Sequence, residues 1–348
     1  MTSASQAGIT IIGGGLAGLS LGILLRQAQI PVLVHEAGCY PRNKVCGEFI
    51  SGAGQSLINQ IGILPRLKGK AMEVKTVAIF SATDCLQSST LPVPALAISR
   101  LDLDFQMALQ FQDLQGELKT GSRFTGQRGN PGIVFATGRR PQTYSGEFRY
   151  FGLKAHFSEL ELASDLELHF GHEGYVGLLR LPGGMVNVCG LFRARDALPD
   201  LSQTWKERLS GKKGSPLSRR MASAKEVDSS FCSVAALGVG TFFPQFNPSE
   251  FSVGDSMLMI PPFTGNGMSI AFETAALALP HLVNYLKSGN WENARLNLYN
   301  SYRSLLNSRM RAAYAVQWMM FQPGLQALLL KLLKRRPSLL NTIFRLTR

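Results

Sequence analysis

Apolar and polar positions change rhythm three times along this chain. A β-branched run, Ile9 to Ile12, meets glycines, then a mostly apolar stretch from Leu16 to about Gln27, then a second apolar run from Pro31 to His35. Short apolar runs closed by glycine read as buried strands, and the longer stretch between them as a helix. The segment therefore predicts strand, tight turn, helix, strand. From Tyr150 the rhythm loosens toward alternation. In Gly184 to Phe192, Met185, Val188 and Leu191 are interrupted by Asn187 and Gly190, as in a sheet with one face on a pocket. The Leu181–Met185 turn, LPGGM, makes that sheet a hairpin. Phe251 to Val253 repeats the opening arrangement: a strand, a Gly254-Asp255 turn, an apolar loop and a helix from about Ser269 to Leu286. The last sixty residues are leucine-rich but broken by Gln317, Gln322, Pro323-Gly324 and Gln326, so no clean spanning run forms.

Charge changes the picture only at that end. The chain carries a formal charge of +13, and from Asn293 to Arg348 it holds ten Lys and Arg and no acid. Such asymmetry points to an anionic partner surface, either a membrane or an acidic acyl carrier protein. Nucleic acid is disfavoured because the cations accompany aliphatic stretches. Five scattered cysteines fit a reducing compartment and no disulfide framework. The expected location is cytoplasmic, with peripheral attachment to the inner membrane face through the basic tail. The apolar N-terminus lacks a basic lead and a small-residue cleavage site, so it reads as core of the mature protein. No spacing suits a metal, and no Ser-His-Asp set competes.

The first turn carries Gly13-x-Gly15-x-x-Gly18, and the second strand ends on Glu36, eighteen residues beyond Gly18. Here the first glycine permits the turn, the second admits a pyrophosphate, the third lets helix and strand close up, and the acid accepts ribose hydroxyls. This binds a dinucleotide without separating FAD from NAD. The late turn decides between them. Asp255 is an acceptor for polyol hydroxyls, and Gly265 and Gly267 let backbone N–H groups approach a flat, electron-rich ring. A nicotinamide enzyme has no use for this second cradle.

Together with "PRNKVCGE" (Pro41 to Glu48) and "PPFTGNGM" (Pro261 to Met268), these motifs resemble the flavoprotein superfamily of aromatic-ring hydroxylases (p-hydroxybenzoate hydroxylase-like), flavin halogenases and geranylgeranyl reductases. The PxxKxCGE form is most similar to the geranylgeranyl-reductase-like branch. The resemblance runs from residue 8 to about 290. It implies an α/β fold: a doubly wound, Rossmann-like FAD domain, an inserted antiparallel β substrate layer and a helical C-terminal cap. The divisions expected are 1–145 and 236–290 for the two FAD parts, 146–235 for the β layer and 291–348 for the basic helical segment. It also implies that Arg42, Lys44 and Arg100 lie near FAD, that Cys46 to Glu48 face the flavin ring, that Asp255 binds the ribityl chain, and that Gly267-Met268 meet the pyrimidine edge. With Arg42 and Lys44 so close, Cys46 is expected to have thiolate character; the other reading is a small buried filler.

The pattern departs from the family in the middle of the chain. Thr137-Gly138 stands where the hydroxylases carry Asp-Gly, a motif the resemblance associates with both FAD and NAD(P)H contacts; its absence weighs against direct NAD(P)H binding, and the expected electron donor is NAD(P)H or a separate reductase. Arg139 and Arg140 either meet pyrophosphate or stand solvated. The reductases' YxWxFP becomes Tyr175-Val176-Gly177-Leu178-Leu179-Arg180, and the halogenases' WxWxIP is missing. A differently shaped, still apolar cavity follows, lined by Tyr175, Gly177, Leu179, Asn187 and Phe263. A general acid is sought among Lys154, His156, His169, His172 and Glu173, and Cys46 and Glu48 are the catalytic candidates. The expected activity is hydride transfer from reduced flavin to a double bond of an isoprenoid-, polyketide- or lipid-like substrate. The alternatives are a monooxygenase acting on an aromatic or phenolic lipid, a non-catalytic flavin-binding protein, and a nicotinamide-only dehydrogenase.

Overall fold

In the computed structural model, residues 8–127, 129–139, 148–171, 173–195, 200–237, 249–257 and 260–348 are described. The opening pattern forms as read: β1 (Ile9–Ile12) and β2 (Val32–His35) pair in parallel across α1 (Leu16–Gln27), with Ile11 opposite Val34. Every α1 residue from Leu16 to Leu25 is buried, which is why its apolar positions show no single stripe. The chain then leaves through β3 (Phe49–Ile50), α2 (Ala53–Gln60) and a long hairpin, β4 (Ala71–Phe80) and β5 (Cys85–Ile98). It returns by α3 (Arg100–Asp113), β6 (Glu117–Lys119) and β7 (Ile133–Phe135). Next come β8 (Phe148–Ser158), β9 (Leu166–Phe170), β10 (Gly174–Arg180) and β11 (Val186–Arg195). Two short helices, α4 (Leu201–Ser210) and α5 (Pro216–Met221), precede β12 (Lys225–Glu226) and β13 (Cys232–Leu237). The chain closes with β14 (Phe251–Ser252), α6 (Gly267–Ser288), α7 (Trp291–Met320), α8 (Pro323–Arg335) and α9 (Ser338–Leu346).

Five strands make a parallel sheet in the order β14-β7-β1-β2-β6, so the two glycine-bearing turns emerge at the same edge although 240 residues separate them in sequence. That is where an open parallel sheet places its ligands. The second sheet has nine strands in the order β12-β8-β11-β10-β9-β4-β5-β3, with β13 also on β8. It is larger than the 146–235 segment assigned to it, because β3, β4 and β5 join it from within 1–145. Pro92 and Pro94 hid that hairpin in the sequence. They fall where the β4–β5 register shifts, between Val74–Ala95 and Thr76–Thr90, the place where a sheet tolerates proline.

One face of β8 is apolar: Phe151, Leu153, Ala155 and Phe157 pack with Trp205, Leu209, Leu217 and Met221 of α4 and α5. Alternation along a strand sends Gly152, Lys154 and His156 to the other face. There α7, α8 and α9 close over the sheet, with Ile79, Phe170, Val316, Met320, Leu330 and Leu333 forming one cluster. Between sheet, helices and the two glycine turns lies the main cavity.

Candidate functional site

The three N-terminal glycines do different work. Gly13 has φ +109°, and a Cβ there would stand 2.9 Å from Thr137 Cα. A Cβ on Gly18 would run into the Gly13 carbonyl. Both are therefore packing glycines. At Gly15 the nearest atom to a Cβ would be Lys44 Nζ at 3.9 Å, so its missing side chain leaves room that opens on the cavity. Gly15 is also the N-cap of α1, with no side chain satisfying the first N–H groups. The α6 N-terminus is built alike: Asn266 makes no side-chain cap, Gly265 turns left-handed at φ +67°, and a Cβ on Gly267 would meet nothing within 4 Å. Two uncapped helix ends face one chamber.

Glu36 ties the first turn together. Its Oε2 accepts from Gly14 N–H at 2.8 Å, and its Oε1 from Gly38 N–H at 2.8 Å and Arg42 Nη2 at 2.9 Å. The Tyr40 hydroxyl donates to the Gly14 carbonyl, and burial, then Glu36, holds that phenol above its usual range. Lys44 does not sit free. Its Nζ is 2.6 Å from Asp104 Oδ2, and Arg100 grips the same carboxylate through Nε at 2.7 Å and Nη2 at 2.9 Å. Burial alone would raise the Asp104 carboxyl, but Arg100 and then Lys44 hold it below its ordinary value. Two cations on one carboxylate leave net positive charge beside Gly15. Asp104 escaped the sequence reading, although its place four residues after Arg100 on a helix was the available signal.

The Cys46–Glu48 segment differs most from expectation. Burial pushes the Cys46 thiol up, against the Arg100 charge and the Glu48 N–H that donates to the sulfur at 3.4 Å. Arg42 is engaged by Glu36 and Lys44 by Asp104, so the expected thiolate gives way to a protonated thiol on the cavity wall. Glu48 is fully buried in the left-handed region, φ +58°, and clamped on every side. Its carbonyl accepts from Ile98 N–H at 3.0 Å, and its Oε1 from Arg100 N–H at 2.9 Å. Lys154 Nζ lies 3.3 Å from Oε1, and His156 Nε2 lies 2.7 Å from Oε2. Lys154 also donates to Asn43 Oδ1 at 2.8 Å.

The other acid candidates separate. His169 is bonded to Glu167 at 2.9 Å and stacked on Phe80 at 4.3 Å, away from the cavity wall. Glu173 pairs with Arg208 at 3.2 Å on the surface, and His172 and Arg140 lie outside the described residues. Arg139 donates to the Ala235 carbonyl at 2.8 Å and reaches the cavity, as do Thr137 and Gly138.

The cavity measures about 1170 Å³. Single small-molecule sites are roughly 300–1,000 Å³, so this one has room for a cofactor and a second molecule. Its wall includes Gly13, Gly15, Glu36, Arg42, Lys44, Cys46, Glu48, Arg100, Asp255, Gly265, Gly267 and Met268, all assigned to the cofactor or to catalysis from the sequence. Tyr175, Gly177, Leu179 and Phe263 continue it toward α8 and α9. Asn187 is a correction: its Nδ2 donates to the Cys46 carbonyl at 2.9 Å, so it positions the loop and does not line the wall. Arg348, one of the ten basic residues of the tail, is tied into the fold. It donates to Ser51 Oγ at 2.5 Å and to the Thr264 carbonyl at 3.2 Å, lies 3.3 Å from the Phe344 ring centre, and burial pulls its pKa down to about 9. Among the described residues no His, Cys, Asp and Glu group could hold a metal.

Asp255 gives the site a pH signature. Its side chain is open to the cavity yet encircled by protein, and burial raises its carboxyl to about 6, against Arg100 and Arg139. The shift is therefore felt most when the cavity excludes water. A raised carboxyl favours the protonated form, so in flavin-free protein its contribution to stability is present below 3.8 and lost as pH rises through about 6. Polyol hydroxyls bind an ionised carboxylate, so affinity for the FAD expected from the sequence should rise from about pH 5 to pH 7. Asp255→Asn should flatten that rise. Asp255→Ala should weaken FAD by about tenfold or more, the worth of hydrogen bonds to a charged acceptor. Flavin fluorescence titration reads both, and unchanged affinity in Asp255→Ala would remove Asp255 from the cofactor site.

No protein-family model matches the chain, and no curated protein sequence does. Solved structures share its fold at low identity. The flavin-dependent brominase Bmp2 superposes with a TM-score of 0.71 at 16% identity, over 97% of this chain and 92% of that one. A geranylgeranyl bacteriochlorophyll reductase-like protein from Thermoplasma acidophilum gives 0.68 at 14%, over 90% and 87%. The protein pqsL, a probable FAD-dependent monooxygenase from Pseudomonas aeruginosa, gives 0.67 at 15%, over 92% and 98%. The fold is thus one these three proteins share.

Proposed function

We propose that the chain is an FAD-dependent oxidoreductase that reduces a double bond in a hydrophobic, isoprenoid- or lipid-like substrate. The observation that carries this reading is the single chamber running from the two uncapped helix ends, past the Cys46 thiol, into an apolar end lined by Tyr175, Leu179, Phe263 and Leu330. The residues present suit FAD. Glu36 would take ribose hydroxyls, Gly15 and the α1 N-terminus with Lys44 the pyrophosphate, Asp255 the ribityl chain, and the α6 N-terminus the pyrimidine edge. Bound there, FAD supplies hydride chemistry, with NAD(P)H or a separate reductase as electron source.

Alkene reduction also consumes one proton, and the protein must deliver it to a carbon in a dry site. Cys46 is protonated and lines the cavity, and the adjacent Arg100 guanidinium would stabilise the thiolate left behind. Glu48 and Asn187 hold the loop that aims it. Cys46→Ala is therefore expected to keep FAD and lose about 10²–10⁴-fold in turnover, the range for a removed general acid. The deciding experiment is anaerobic turnover of the reduced holoenzyme with a polyprenyl substrate, followed by mass spectrometry. A product heavier by two hydrogens supports the reductase. Product only in air, carrying one extra oxygen atom, would replace it with the monooxygenase, and protein purified without flavin would end both.

A further inference from the structure

Helix α8 has two apolar faces, and the fold uses only one. Leu329, Leu330 and Leu333 point inward and line the main cavity. Leu325, Leu328 and Leu332 lie on the outer side and are 36%, 53% and 41% exposed. At 100° per residue these three form one stripe. Lys331, Lys334 and Arg335 flank it, and Arg336 follows at the helix end. All four cations are exposed and, among the described residues, none has an ion-pair partner. Trp318, 53% exposed in the last turn of α7, and Arg345 and Leu346 at the end of α9 are exposed as well. No acidic residue occurs anywhere from Asn293 onward.

We propose that this face docks on an anionic lipid surface, with α8 lying in the plane of the headgroups. An exposed leucine stripe flanked by unpaired cations is the arrangement of an interfacial helix. No helix among the described residues is long and apolar enough to cross a membrane, so the contact is peripheral. Charge pairing with an acidic protein would not by itself use the leucine stripe, whereas a lipid surface takes both the stripe and the cations, which favours the lipid surface.

The same helix connects that surface to the cavity. A groove of about 350 Å³ runs between α8 and the β4–β5 turn, beside Lys331 and Lys334. Phe170 and Leu330 border both this groove and the main cavity, so they form a thin partition between them. A lipid-like molecule leaving the headgroup region beside α8 would meet that partition. This last step rests on the lipid-like substrate proposed above, whereas the docking surface does not.

The test is flotation of the purified full chain with vesicles of phosphatidylcholine alone or with three parts in ten phosphatidylglycerol. Binding is expected to the anionic vesicles only and to weaken in 0.5 M salt. Each cation near such a surface contributes about fivefold, so Lys331→Glu, Lys334→Glu and Arg335→Glu together should lower affinity about 100-fold or more. Leu328→Asp with Leu332→Asp should abolish it; both positions are exposed, and unchanged melting temperature and flavin content would show the fold intact. Equal binding to neutral vesicles, or undiminished binding by either variant, would overturn the proposal. So would a wild-type dimer that ignores vesicles and dissociates with the leucine variant, or capture of an acidic carrier protein in place of vesicles. Flotation is read without turnover, so loss of the reductase reading would leave its result standing.

Discussion

Gly15→Val is expected to purify as a folded protein that has lost its flavin. In the FAD-free fold a Cβ there has only Lys44 Nζ within 4 Å, at 3.9 Å, and the position opens on the cavity. The added bulk occupies the space through which a pyrophosphate would reach the α1 N-terminus. An overpacking penalty of about 1–3 kcal/mol then falls on the complex and not on the apo fold, raising the FAD dissociation constant by about 5- to 150-fold. Gly18→Val makes the contrast, because its Cβ runs into the Gly13 carbonyl. That variant should lose stability with or without flavin. Absorbance at the flavin band and apo-protein melting, measured on both, separate the two roles. A Gly15→Val protein carrying full flavin would show that no phosphate approaches this turn.

Glu48→Ala should be the most damaging single change to stability. It strips the Arg100 N–H, Lys154 and His156 of a shared acceptor in one step, in a place closed to water. Removing one partner of a buried ion pair destabilises by about 3–5 kcal/mol, because the remaining charge is uncompensated. The burden falls on Lys154, whose side chain is fully buried and would keep only Asn43. Lys154→Met in the same background should therefore restore much of the loss, a coupling of about 1–3 kcal/mol. Urea denaturation of the two single variants and the double measures it. Strict additivity would mean that Glu48 and Lys154 do not act as a pair.

Both variants sit in motifs that were legible in one dimension. Strand, turn and helix around Gly13 to Gly18, the terminal Glu36, the Asp255 turn and the Gly265–Met268 approach were all readable, because each is a local backbone requirement written in consecutive residues. The shared face of Tyr175, Gly177 and Leu179 was readable for a similar reason: alternation along a strand marks which side chains lie together. The β4–β5 hairpin was not, because two prolines and a register shift interrupt its pattern. The ionisation of Cys46 was misread for a different reason. The residues adjacent in sequence, Arg42 and Lys44, spend their charge on Glu36 and Asp104, and burial decides the rest.

What the sequence determined by itself is a parallel sheet with two glycine-bearing turns, because glycine placement and β-branched runs constrain the backbone wherever they occur. What only the tertiary structure decided is who meets whom at the chamber's centre and roof. Glu48 finds Lys154 and His156 more than a hundred residues away, and Arg348 reaches Ser51 and Thr264. The face of α8 that lines the cavity is likewise chosen by packing. Such pairings depend on three-dimensional approach and exclusion of water, and neither quantity is carried by spacing along the chain.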